Sequence, residues 1–115
     1  MNIEQLHDYC LSLKGTSACF PFDNVTLVFK VEGKMFAMIP LESDALKITL
    51  KCDPEKALDL REHFSCVEPA YHFNKKFWNT ICFNQEMKDD EVKLWIQHSI
   101  EEVVKKLPKK LREKY

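Results

Sequence analysis

Glycine is scarce in this sequence, two residues in 115, so it supplies neither a flexible linker nor a glycine-rich loop of the kind that cradles phosphates. No Gly-x-Ser-x-Gly elbow, Walker loop or Rossmann signature is present, and the chain is read as a non-enzyme. The five cysteines, at 10, 19, 52, 66 and 82, are odd in number and form no Cys-x-x-Cys pair. With no secretory apolar segment ahead of them, they point to a reducing, cytoplasmic setting. His63, Cys66 and His72 come nearest to a metal set but lack the paired spacing of structural zinc, so neither metal nor cofactor is expected. No apolar run approaches the roughly 20 residues that span a bilayer. An excess of charge is missing too: the formal net charge is −1, which counts against a whole-molecule attraction to nucleic acid.

The distribution of charge says more than its sum. Lys105, Lys106, Lys109, Lys110, Arg112 and Lys114 crowd the end of the sequence against Glu113 alone, while acids prevail over bases before Glu68. No acid interrupts the stretch from Pro69 to Gln85, where Lys75 and Lys76 lie. One reading is a basic face on an otherwise acidic protein; the other is a solvated run that complements the negative end of a helix dipole.

Length and apolar content fit a single domain over residues 1–115. Ile3, Leu6, Cys10 and Leu13 recur at helical spacing between Asn2, a cap, and Gly15, a stop. Cys19 to Phe22 and Val25 to Val31 read as a hairpin, Glu32-Gly33-Lys34 turns into a strand from Met35 to Pro40, and Ala45 to Lys51 alternates as a fourth strand. In that strand Lys47, Thr49 and Lys51 share the face opposite Leu46, Ile48 and Leu50, and Lys30 joins them across the sheet. Asp53-Pro54-Glu55 starts a helix running to about His63, on which Arg61 and Glu62 are read as solvated. Trp78 to Phe83 is a fifth strand, and Asp89-Asp90 caps a long helix with Trp95, Ile96, Val103 and Val104 on its apolar face. This order predicts an α+β two-layer sandwich: an antiparallel sheet of about five strands with helices on one face.

The densest chemistry lies in Tyr71-His72-Phe73-Asn74-Lys75-Lys76-Phe77-Trp78-Asn79-Thr80, where rings, an imidazole, amides and two ammonium groups are consecutive. Aromatic faces can stack on bases or bury in protein, and lysines and asparagines suit an anionic partner rich in heteroatoms. The bland alternative is a loop whose rings anchor the core and whose lysines are solvated.

This stretch resembles the most characteristic motif of the MmcQ/YjbR family of small, mostly bacterial proteins. Pro21-Phe22, Val28-Phe29-Lys30-Val31, Gly33-Lys34-Met35-Phe36-Ala37, Leu50-Lys51-Cys52-Asp53-Pro54-Glu55 and Leu60-Arg61-Glu62 resemble family positions in the same order. The resemblance implies a CyaY-like fold and a double-wing motif that binds duplex DNA. Together with the residues it nominates Lys30, Lys47, Lys51, Tyr71, His72, Asn74, Lys75, Lys76 and Asn79 as nucleic-acid contacts, with lysines on phosphates and asparagine able to reach a base edge. The expected protein is a monomer away from membranes. A small anionic ligand or a protein partner on the same lysine-rich face is the competing reading.

Overall fold

In the computed structural model, which describes residues 1–115, Asn2 and Gln5 close a capping box, each side chain accepting the other's backbone N–H, and start α1 (Ile3–Ser12). Four strands follow: β1 (Thr16–Cys19), β2 (Thr26–Val31), β3 (Lys34–Pro40) and β4 (Lys47–Lys51). Asp53 accepts from the N–H groups of Glu55 and Lys56 and sets Pro54 at the first position of α2 (Pro54–His63), as its sequence predicts. Then come β5 (Val67–Pro69), β6 (Trp78–Cys82), α3 (Asp89–Val104) and the short α4 (Lys109–Arg112). No helix is long and apolar enough to cross a membrane.

The strands form one antiparallel sheet in the order β1-β2-β3-β4-β6-β5. The architecture is the α+β sandwich that the patterning predicts, with six strands rather than about five. The added strand is β5, three residues that the sequence reads as a connection, because a segment so short shows no period of its own. The first hairpin also shifts. Its leading strand is Thr16–Cys19, and Phe20-Pro21-Phe22 lies in the loop beyond it, where the Asp23 carboxylate accepts from the N–H groups of Val25 and Thr26 and turns the chain.

One face of the sheet carries the core. Phe29, Ile39, Ile48, Leu50 and Ile81 pack there with Leu6 and Cys10 of α1, Ala57 and Leu60 of α2, and Val92, Ile96 and Val103 of α3; Leu46, Trp95 and Val104 lean on its rim. A bulge helps to fill it. Phe29 pairs with Ala37 but Lys30 pairs with Met35, so Phe36 is the extra residue and its buried ring lies 6.3 Å from that of Phe29. The buried Ser99 hydroxyl fixes α3 on the sheet, donating to the Phe36 carbonyl at 2.6 Å and accepting from the Lys51 N–H at 2.9 Å.

Antiparallel pairing sorts the connections to two ends of the sheet. Residues 13–15, the Glu32-Gly33 turn and loop 70–77 meet at one, the Gly33 end. Loops 20–25, 41–46 and 83–88 meet at the other, the Asp44 end. Glu32 and Gly33 both have positive φ, 50° and 78°, the pattern of the two-residue turn that matches strand twist.

Candidate nucleic-acid interface

The motif stretch is the loop and second strand of the β5–β6 hairpin, at the sheet's edge. Its loop is built rather than loose. The Asn74 carbonyl accepts from the Phe77 N–H at 3.0 Å and its side-chain oxygen from the Lys76 N–H at 3.1 Å, while Phe73 stacks on Trp78 with ring centres 5.0 Å apart. Asn74 therefore uses its carbonyl groups to shape the loop and keeps its amide N–H₂ for a partner. Tyr71, His72, Asn74, Lys75 and Lys76 are exposed. The Lys75 ammonium sits 4.9 Å from the centre of the Tyr71 ring, so the pair projects as a unit.

Arg61, read from sequence as solvated, is what fastens this loop to the body of the protein. From α2 its Nε donates to Asn79 Oδ1 at 2.6 Å, and its guanidinium also donates to the carbonyls of Lys75 and Trp78. A planar fork with several donors suits such convergent carbonyls better than an ammonium does. Arg61 stands in the Leu60-Arg61-Glu62 segment that carries part of the family resemblance, and that was the signal available.

Asn79 is a correction. It is 1 % exposed, pairs with Leu50 on the core face, accepts from Arg61 and donates to the Ala57 carbonyl at 3.2 Å, so it cannot touch DNA. Strand alternation explains this: Asn79 and Ile81 share a face, and Ile81 is in the core.

The sheet lysines divide. Lys30, Lys47 and Lys51 are half-buried on the face away from the core, as alternation predicts, but not as one cluster. Lys30 and Lys51 stand toward the Gly33 end, whereas Lys47 opens β4 at the Asp44 end and lines a hollow with Cys66, Glu68 and Cys82. Burial holds the Lys51 pKa below the ordinary lysine value, and the charge of Lys106 depresses it further, a sign of crowded positive charge. The largest of the main concavities, about 760 Å³, lies along α2 and α3 around Lys56, Trp95 and His98 and takes in none of the motif. Burial pushes the thiols of Cys10 and Cys52 up to about 12 and raises that of Cys66, so these are not thiolates at neutral pH.

Comparison with known proteins bears on the family and the fold. The YjbR family model matches residues 11–101. The chain belongs to the YjbR family. It is 30% identical over 112 residues to the Escherichia coli K12 protein named as uncharacterized protein YjbR, covering 97% of this chain and 95% of that one. It is 31% identical to uncharacterized protein YbdF of Escherichia coli O157:H7, covering 96% and 93%. Among solved structures, Deinococcus radiodurans protein DR2400, of domain family DUF419, superposes with a TM-score of 0.90 at 33% identity, covering 98% of this chain and 86% of that one. A Pseudomonas syringae protein superposes at 0.72 with 28% identity, covering 86% and 96%. The YjbR fold is thus shared along most of the chain.

Proposed function

We propose that this YjbR-family protein binds duplex DNA through lysine contacts to phosphates, with little sequence preference. What carries the reading is that two hairpin tips project from the same end of the sheet, the Glu32-Gly33 turn flanked by Lys30 and Lys34, and the 70–77 loop bearing Lys75 and Lys76. Two β-hairpins in one sheet, separated by β4, match the two wings that the family resemblance implies, and lysines near their tips suit the anionic backbone. Tyr71, His72 and the Asn74 amide are then the groups nearest a groove. Lys47 falls outside the footprint because it stands at the opposite end of its strand.

The small-ligand alternative needs the lysines to line a closed pocket, and the main concavities do not gather them. Fluorescence anisotropy on a labelled duplex over a salt series tests the DNA reading. Lys75→Ala with Lys76→Ala is expected to lower the slope of log affinity against log salt by up to about two, while stability stays within about 0.5 kcal/mol. Undiminished binding at every salt concentration removes these lysines from the interface. Loss of the fold makes the motif structural.

A further inference from the structure

The segment that follows α3 is basic, and the fold holds it in place at both ends. At its start the Lys106 ammonium lies 5.3 Å from the centre of the Phe77 ring, and the Lys76 ammonium lies 5.6 Å from the same ring, so this segment begins against the motif loop. At its far end Tyr115 is seated between the start of β1 and the β2–β3 turn. Its hydroxyl donates to the Glu32 carboxylate at 3.0 Å, its ring takes the Lys14 ammonium at 5.2 Å, and Lys14 also donates to the Lys114 carbonyl. Gly15, at φ +74°, leaves the space that a Cβ would take from that hydroxyl.

Phe77 leads into β6 and residues 13–15 lead into β1, so the segment crosses most of the sheet's width, about 19 Å for four strand spacings. The negative end of α3 accounts for Lys105 and Lys106 at most, because a helix dipole acts within its last turn. Lys109, Lys110 and Arg112 lie beyond it, exposed and outside every ion pair in the protein.

We infer that this segment is a second DNA-backbone contact, continuous with Lys75 and Lys76, and that the two form one basic rim along the Gly33 end. The inference rests on the DNA-binding reading above and extends its footprint to residues outside both hairpins. A duplex fits the rim better than a single strand does. Single-strand binders offer a row of free rings for successive bases to stack on, whereas here Phe73 is stacked on Trp78, Phe77 is met by two lysines, and the one well-exposed ring of the loop, Tyr71, carries the Lys75 ammonium. The well-exposed phenylalanines, Phe20 and Phe22, are at the other end of the sheet.

The test uses the full chain, a labelled duplex and a labelled single strand of equal length, and a variant with Lys109→Gln, Lys110→Gln and Arg112→Gln, which removes charge while keeping a polar, helix-compatible side chain. Circular dichroism checks that the variant is folded. Its affinity for the duplex is expected to fall at least tenfold at about 0.1 M salt, with the salt slope reduced by about two to three, adding to the loss from the Lys75 and Lys76 substitutions. A variant that binds like the parent, while the Lys75 and Lys76 substitutions still weaken binding, overturns the rim and leaves the hairpin reading standing. A parent that shows no salt-dependent duplex binding overturns both. Preference of the parent for the single strand, or for anionic vesicles over either nucleic acid, also overturns the assignment.

Discussion

The two ends of the sheet are opposites in charge. Asp23, Glu42, Asp44, Glu86, Asp89 and Asp90 gather at the Asp44 end against Lys47 and Lys88, whereas the Gly33 end holds Lys14, Lys34, Lys75 and Lys76 together with the basic segment after α3, against Glu32, Asp53 and Glu113. Strands of five to seven residues separate them, roughly 17 to 24 Å, more than the ~10 Å over which exposed charges act at 0.1 M salt. A net charge of −1 is therefore the sum of two poles that scarcely sense one another, and it says little about what either pole attracts. The polarity comes from topology: antiparallel strands return the chain to the same end every second connection, and α3 delivers the basic segment that follows it to the motif loop.

The largest expected effect is one that should not distinguish the poles. Ile48 is fully buried at the middle of the shared core, and Ile48→Ala is expected to cost about 2 to 5 kcal/mol by removing buried methyl groups and leaving a cavity. Chemical denaturation measures it. A folded Ile48→Ala protein with an altered salt slope for DNA would show that the poles are coupled through the core.

Arg61→Ala comes next and acts on one pole. It strips Asn79 of its charged donor and frees the carbonyls of Lys75 and Trp78, with an expected cost of about 2 to 3 kcal/mol. Hydrogen exchange should quicken in residues 70–79 and stay unchanged in loops 20–25 and 41–46. Uniform quickening would mean that Arg61 supports the whole fold and not the motif loop.

Arg61 also marks where the sequence stops being legible. The caps of α1 and α2, the β3 and β4 patterns and the apolar stripe of α3 are local, and local chemistry is written in consecutive residues. Arg61 reaches residues 14 to 18 positions away, and nothing beside it in the chain announces those partners. Asn79 was legible in principle, since it stands two before Ile81 on the same face, but an amide at a core-face position, flanked by Trp78 and Thr80, breaks the apolar alternation that marks a face. Lys47 and Lys51 share a face, as their spacing predicts, yet four residues of strand, about 14 Å, carry them toward different poles. A face is set by parity, whereas an end is set by topology.

The smallest expected effect is the sharpest check on that separation. Glu42 and Asp44 are exposed in the 41–46 loop, so Glu42→Gln with Asp44→Asn removes two charges at the acidic pole while touching no core residue. If phosphates are met only at the Gly33 end, the salt slope should be unchanged and affinity at about 0.1 M salt should shift less than twofold, because screening confines those acids to their own end. At about 0.01 M salt the screening length grows to roughly 30 Å, comparable to the molecule's 39 × 32 × 26 Å extents, and the same substitutions should then strengthen binding modestly. Anisotropy titrations at the two salt concentrations separate these regimes. A slope change as large as that of Lys75→Ala with Lys76→Ala would place DNA at the Asp44 end as well, and the division of the molecule into a binding pole and a bystander pole would fail.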